Sequence, residues 1–150
     1  MGPVKRRRPR GVAERPPSAY GAARLLLDTH ALLWWFTDSP RLSRPARRAI
    51  GDASATVFVS AASAWEVATK VRLGKLHDPL GLADALSVHV AAQGFQDLPI
   101  TLEHGRRAGK LPGSHKDPFD RMLVAQAQTD GLAIVSNEAQ FDAYGIQRVW

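Results

Sequence analysis

The chain contains no cysteine, only two methionines and two tyrosines, and no long hydrophobic run. The absence of cysteine excludes disulfides, thiolate catalysis and zinc sites built on sulfur, and it fits the reducing cytoplasm in which we expect the protein. The longest apolar runs, Ala31–Phe36 and Leu25–Leu27, are far too short to span a bilayer. The basic N-terminus has no apolar stretch behind it and does not resemble a secretory signal. We therefore expect no membrane partner.

The positive charge is confined to one end of the chain. Of the net charge of +6 over 150 residues, all is contributed by residues 1–24, which hold seven cations and one anion, while the other 126 residues hold 13 of each. A neutral body cannot attract nucleic acid through bulk charge, so any binding there must depend on local patches or on a metal.

Proline and glycine are interspersed among the arginines of residues 1–23, with almost nothing to bury. This composition predicts a disordered basic tail at 1–23, followed by one domain at 24–150. Three explanations of the tail stay open: an extension from an upstream start site or added to the chain, a solvated tail without a role, and a basic arm that holds nucleic acid.

Short apolar runs alternate with longer amphipathic stretches along the rest of the chain. The runs predict strands at 25–27, 56–59, 95–98, 132–135 and 147–150. Helices are predicted between them, at 29–36, 43–53, 60–72, 80–92, 101–110, 117–129 and 138–144. Strands separated by helices indicate an α/β fold with three layers (α/β/α), in which helices flank a central, mainly parallel sheet of four to five strands.

Acidic residues follow the ends of these strands. They are Asp28, Glu66, Asp117, Asp120 and Glu138. Because ligands bind outside the carboxyl ends of the strands in such sheets, these carboxylates should meet at one rim. Carboxylates gathered there would repel one another unless a cation intervened, and Mg²⁺ is the natural partner of oxygen ligands. Without cysteine or a histidine pair at ligand spacing, zinc is disfavoured. Bound Mg²⁺ can activate water for phosphodiester cleavage.

Each acid also has a structural interpretation. Asp28 and Asp117 are good helix caps, and Asp117 precedes Pro118 at the first helical position. Glu66 could form a surface pair with Lys70, four residues on. Glu138 could be a first-turn acid of a short helix. Only the joint placement of the acids at one rim favours a site over ordinary capping.

The neighbours of the acids suit the same picture less decisively. Hydrogen bonds to a carboxylate or to metal-held water are open to Thr29, Ser136 and Asn137. Substrate phosphates could be held by Lys70, Lys75, Lys116 and Arg121, although each could equally be a solvated surface charge. His30 and His115 lie near the predicted rim and could move protons, but no histidine is predicted to be essential.

Three segments together resemble PIN domains, and among them the VapC toxins of type II toxin–antitoxin modules. They are Leu-Leu-Leu-Asp-Thr-His-Ala-Leu-Leu-Trp-Trp (25–35), Val-Ser-Ala-Ala-Ser-Ala-Trp-Glu-Val-Ala-Thr-Lys (59–70) and Asp-Pro-Phe-Asp-Arg-Met-Leu-Val-Ala-Gln-Ala (117–127). Shorter matches at 73–76 and 141–145 extend the resemblance over residues 24–150. It implies a PIN-like fold, Mg²⁺ or Mn²⁺ as cofactor, cleavage of RNA, a homodimer, and a cognate antitoxin as partner.

The resemblance also carries over the site residues one by one. The first family aspartate matches Asp28, the helical glutamate matches Glu66, and the third acid matches Asp120, with Asp117 as a neighbour that could join the site. The fourth family acid is usually aspartate, but Glu138 stands there. A longer acid could move a second metal, so binding of a single metal stays open.

Two functions from different classes follow. The first is a metal-dependent endoribonuclease that cleaves single-stranded or structured RNA as the toxin of such a module. The alternative is a catalytically weakened PIN-like module that binds RNA or a partner protein. Phosphate-binding glycine loops and a Gly-x-Ser-x-Gly elbow are both absent from the sequence. Four aromatic residues are candidates for partner anchors or for core packing: Trp34, Trp35, Phe36 and Trp65.

Overall fold

The computed structural model describes residues 22–150, so all but the last two residues of the predicted tail lie outside the described range. The strands are β1 (Arg24–Leu27), β2 (Thr56–Ser60), β3 (Gln96–Leu98), β4 (Ala133–Val135) and β5 (Arg148–Val149). The α-helices are α1 (Thr29–Phe36), α2 (Arg44–Gly51), α3 (Ala61–Arg72), α4 (Leu82–Ala92), α5 (Leu102–Lys110) and α6 (Pro118–Asp130), and a 3₁₀ helix spans Ala139–Tyr144. Over these residues, no helix is long and apolar enough to cross a membrane.

The five strands form one sheet in the order β3-β2-β1-β4-β5, and all of its pairings are parallel. From β1 the chain proceeds to β2 on one side and returns to β4 on the other. The strand order therefore reverses between β1 and β4, where sheets of this kind open a crevice at their carboxyl ends. The register pairs Leu27 with Val135, so Asp28 and Ser136 follow side by side at that crevice.

Alternating side chains of the strands build a core on each face of the sheet. Leu25 and Leu27 point to the face covered by α1, α2 and α4, where Trp35 and Phe36 are fully buried. Leu26 points to the other face and packs with buried residues of α6. Helices thus cover both faces, and the predicted three-layer α/β/α architecture is confirmed.

Two predicted helix boundaries and the type of one helix differ in the structure. Helix α2 ends at Gly51 rather than at 53, and the last predicted helix is a 3₁₀ helix. Helix α4 begins at Leu82 rather than at 80, since the Asp78 carboxylate accepts hydrogen bonds from the backbone N–H groups of Leu82 (2.7 Å) and Ala83 (2.9 Å). A capping side chain outside the helix determines this start, and apolar periodicity does not reveal it.

Candidate active site

Asp28 is fixed at the end of β1 by contacts with two neighbouring elements. Its Oδ1 accepts a hydrogen bond from the backbone N–H of Ala31 (2.7 Å), which makes it the N-cap of α1 as predicted. Ser136 follows β4 beside Asp28 and counters part of the rise in the pKa of this carboxyl group. Ser136 Oγ accepts a hydrogen bond from the backbone N–H of Glu138 (3.0 Å). Ser136 therefore ties the acid after β1 to the acid after β4.

The first turn of α6 carries a second group of acids. Asp117 is the N-cap of α6, since its Oδ1 accepts from the N–H groups of Phe119 (2.9 Å) and Asp120 (3.2 Å). Asp120 points away from this cap, and its Oδ2 lies 2.9 Å from Nε2 of His115. Both partners of this contact are largely buried, with side-chain exposures of 16% and 14%.

Burial and neighbouring charges raise the pKa values of both Asp28 and Asp120. Burial raises the pKa of Asp28 to about 6, and the nearby Glu138 charge adds to this rise. Burial also raises the pKa of Asp120 to about 7, with further increases from the charges of Asp117 and Glu138. Glu138 is thus within Coulombic reach of both aspartates and links the two halves of the rim.

Three side chains of this rim are arranged as a cation would require. One ligand atom from each of His115, Asp120 and Glu138 lies within 4.8 Å of the others. Two ligand atoms on opposite sides of one Mg²⁺ lie about 4.2 Å apart, twice the metal–oxygen distance, so small side-chain shifts would let this group bind a cation. The raised pKa values of Asp28 and Asp120 also favour a cation at this rim. Repulsion between carboxylates causes part of the rise, and a bound cation would relieve that repulsion.

Glu66 is buried at the rim but has different partners. Its Oε1 accepts a hydrogen bond from the Thr29 hydroxyl (2.6 Å), and its Oε2 pairs with the Lys70 ammonium group. The hydrogen bond to Glu66 is the main cause that raises the pKa of Lys70, and the charges of Asp117 and Asp120 raise it further. The Glu66–Lys70 pair expected from sequence does form, with Glu66 in the interior and Lys70 reaching back over the acids.

One of the predicted phosphate ligands has another task. The Arg121 guanidinium donates to the backbone carbonyl groups of His115 (3.1 Å), Ala108 (3.3 Å) and Leu111. It therefore holds the loop between α5 and α6, and its binding of phosphate stays a prediction. Lys75 and Lys116 are exposed and form no ion pair within residues 22–150, so they stay candidates.

The predicted aromatic anchors divide into two kinds. Trp35 and Phe36 belong to the core, as the packing interpretation expected. Trp34 is half-buried and packs between the ring of His30, at a centroid distance of 5.4 Å, and the ring of Trp150, at 5.8 Å. Trp65 alone of the four is exposed.

Sequence reasoning underestimated His115. Its position near the rim is predicted, but no second histidine stands at ligand spacing from it in the sequence, so the sequence does not indicate a role with the metal. The structure instead puts one histidine beside two carboxylates that come from other parts of the chain. The only available signal was the spacing of His115 from Asp120, five residues apart across the start of α6.

With this geometry, known proteins can be compared. A model of the PIN domain family matches residues 25–147. The chain belongs to the PIN-domain family. The ribonuclease VapC22 of Mycobacterium tuberculosis is 31% identical over 124 residues, which cover 80% of this chain and 91% of that protein. The predicted family is therefore confirmed, together with the resemblance to VapC toxins.

Solved structures of VapC proteins share the fold of this PIN domain. VapBC2 from Rickettsia felis, bound to a DNA fragment from its promoter, has a TM-score of 0.63 at 12% identity, over 85% of this chain and 99% of that one. VapC20 of M. tuberculosis, a toxin that cleaves the sarcin-ricin loop, has a TM-score of 0.60 at 16% identity, over 81% and 95%. At these identities the likeness establishes the PIN fold.

Proposed function

We propose that this PIN domain is a divalent-metal-dependent endoribonuclease and the toxin of a type II toxin–antitoxin module. The observation that carries the proposal is the cluster of His115, Asp120 and Glu138, whose ligand atoms lie within 4.8 Å of one another. Glu138 also lies near enough to Asp28 for its charge to help raise the pKa of that carboxyl group. The 31% identical relative, a VapC ribonuclease, supports the same activity.

In this proposal Asp120, Glu138 and His115 hold the cation, with Asp28 completing the negative rim. Mg²⁺ or Mn²⁺, when bound, would supply positive charge that activates water and stabilises the charge developing on the phosphate. Ser136 and the N-terminus of α1 keep Asp28 in one orientation. In the hydrolysis, the oxygen of water attacks the phosphorus of one phosphodiester, the bond from phosphorus to the leaving oxygen breaks, and the proton that the water loses is balanced by one that the leaving oxygen gains.

Glu66 and Lys70 are proposed to act beside this centre. Lys70 stays protonated next to Glu66 and reduces the negative charge that the substrate meets. Glu66 in turn holds the hydroxyl of Thr29, the residue that follows Asp28. The pair thus positions the residues of the rim and limits its repulsion of phosphate.

The partners follow from the family. The structural neighbours include a VapBC complex, which supports a cognate antitoxin as partner. The resemblance to VapC toxins leads us to propose a homodimer as the assembly. RNA is the proposed substrate, single-stranded or structured. Copurification with the product of the adjoining gene, followed by restored cleavage once that product is removed, would be the expected behaviour of a toxin.

The decisive experiment is an RNA cleavage assay with Mg²⁺ or Mn²⁺, repeated in EDTA. Cleavage should require the metal and should be lost in Asp28→Ala and in Asp120→Asn. The matched control is Asp142→Asn. Asp142 is an exposed acid of the 3₁₀ helix that pairs with Arg148 of β5, and its substitution should leave cleavage unchanged. Cleavage that persists in EDTA, or that survives both rim substitutions, would contradict the proposal.

A further inference from the structure

Trp65 is unusually exposed for its residue type. It keeps 61% of its surface open, whereas Trp35 keeps 1% and both Trp34 and Trp150 are half-buried. Within residues 22–150, no other tryptophan, phenylalanine or tyrosine is exposed. The open face of this ring is available to a flat ligand.

The Trp65 ring is held in place by Phe119. The two ring centroids lie 4.9 Å apart with an interplanar angle of 73°, an edge-to-face contact between α3 and α6. Trp65 immediately precedes Glu66 on α3, and Phe119 immediately precedes Asp120 on α6. The aromatic pair therefore lies next to two of the rim acids, Glu66 and Asp120, and connects the helices that carry them.

The surface around Trp65 suits a flat, negatively charged ligand. The exposed positions of α3 are Ala61, Trp65, Ala68 and Arg72, one helical stripe on which the indole stands between two alanines. Arg72 lies about 10 Å along the helix from Trp65, and it forms no ion pair with any residue that the structure describes. A base on the indole could therefore have a phosphate within reach of a free cation.

We propose that Trp65, oriented by Phe119, is a stacking platform for one base of single-stranded RNA, placed beside the scissile phosphate. This inference rests on the proposed nuclease function. The acidic rim repels RNA and the body of the chain has no excess positive charge, so binding needs a contribution that is not electrostatic. Stacking on an aromatic side chain provides one, and it accepts any base.

A second copy of the chain is the less suitable occupant of this surface. A tryptophan side chain buries about 150–250 Å², whereas a stable protein interface buries about 800 Å² on each partner. The alanines around Trp65 add little apolar area. One isolated ring is enough to stack a base but is a small part of what a subunit interface requires.

The test measures RNA binding without cleavage. All proteins carry Asp120→Asn, and affinity for a labelled, unstructured RNA octamer is measured by fluorescence anisotropy in EDTA. Trp65→Ala should weaken binding about 5- to 100-fold, as expected for the loss of one stacked base. Trp65→Tyr should retain most of the affinity, because it keeps an aromatic face. Leu102→Ala, which removes a side chain that is 95% exposed on α5, is the matched control and should change nothing.

Abasic substitution locates the stacked base. Removal of a single base along the octamer should weaken binding at one position in the Trp65 protein, and the same removal should have no effect in Trp65→Ala. Unchanged affinity in Trp65→Ala, an equal loss in Leu102→Ala, or no measurable binding by the Trp65 protein would each overturn the platform. So would a Trp65→Ala protein that binds RNA normally but sediments as a smaller species, which would assign the ring to a subunit interface.

The platform and the nuclease can fail separately. Cleavage of the same octamer is measured with Asp120 restored. Position-specific stacking without metal-dependent cleavage would contradict the proposed function and leave the platform standing. If Trp65→Ala cleaves RNA with metal as fast as the Trp65 protein and with the same KM, the platform is contradicted and the proposed nuclease function stands.

Discussion

Nε2 of His115 lies 2.9 Å from Oδ2 of Asp120, and this contact joins the loop before α6 to the first turn of the helix. The loop is independently held by Arg121, which donates to the carbonyl of His115 itself. Asp117 fixes the start of the helix between them. One short segment thus provides an acid, the histidine beside it, and the contacts that keep both in position, which leads to specific expectations for its residues.

Asp120→Asn should stabilise the metal-free protein. Burial and the charges of Asp117 and Glu138 raise the pKa of Asp120 to about 7, so its ionised form is disfavoured in the folded state. Asparagine removes the charge, keeps the size and can still hydrogen-bond His115. The melting temperature in EDTA at about pH 8 should rise by about 3–5 °C, equivalent to roughly 1 kcal/mol.

The control for this prediction is Asp142→Asn. The hydrogen bond from Arg148 lowers the pKa of Asp142, so its charge is favourable in the folded protein and neutralising it should give no stabilisation. A melting temperature that is unchanged or lower in Asp120→Asn would mean that the rim acids do not repel one another as their surroundings indicate.

The stability of the metal-free protein should fall as pH rises. In the folded state the pKa is about 6 for Asp28 and about 7 for Asp120, both raised from the ordinary 3.8. Between about pH 4 and about pH 7 the folded protein binds more protons than the unfolded chain, so its free energy of unfolding falls as pH rises. The stabilisation by these two groups is fully present below about pH 4 and lost above about pH 7. Divalent metal should bind more weakly as pH falls through the same range, because protons compete for the carboxylates.

The measurement is the free energy of unfolding in EDTA at about pH 5 and about pH 8, in the wild type and in the double variant Asp28→Asn/Asp120→Asn. The loss between the two pH values should be greater in the wild type by roughly 1–3 kcal/mol. The double variant lacks only the two carboxyl groups, so the difference between the two proteins measures what those groups contribute. An identical pH dependence of the two proteins would contradict the prediction.

Lys70→Ala should destabilise the protein by more than an ordinary surface substitution. It leaves Glu66, which is only 5% exposed, with the Thr29 hydroxyl as its remaining partner. An uncompensated carboxylate at this depth should cost about 1–3 kcal/mol in urea unfolding. Lys75→Ala, which replaces an exposed lysine three residues beyond the end of α3, should change stability by less than about 0.5 kcal/mol.

Adding Glu66→Gln to Lys70→Ala should recover much of the lost stability, because it removes the buried charge. If the double variant were less stable than Lys70→Ala, the destabilisation would have to come from the packing of the Lys70 stem instead of from the charge of Glu66.

The sequence predicted the parts of the site that depend on strand ends. Asp28 and Glu138 follow β1 and β4, and once helices separate parallel strands, both acids must come to the same edge. The side-chain partners could not be predicted. Glu66 accepts a hydrogen bond from Thr29, and Arg121 donates to carbonyl groups of a loop. These partners lie elsewhere in the sequence, and only the folded chain brings them together. Amphipathic periodicity also did not distinguish the exposed Trp65 from its buried neighbours, because burial depends on elements that lie elsewhere in the sequence.

His115 should determine which divalent metal the site prefers. The group formed by His115, Asp120 and Glu138 offers one nitrogen and two carboxylates, and imidazole suits Mn²⁺ better than Mg²⁺, which prefers oxygen ligands. His115→Ala should therefore weaken Mn²⁺ binding by about 10- to 100-fold and Mg²⁺ binding by much less. Titration calorimetry gives both affinities, and electron paramagnetic resonance of bound Mn²⁺ should lose its nitrogen coupling. His30→Ala is the matched control, since His30 lies 4.0 Å from Glu138 but outside the group. An equal loss for both metals would show that His115 acts only by orienting Asp120 through their hydrogen bond.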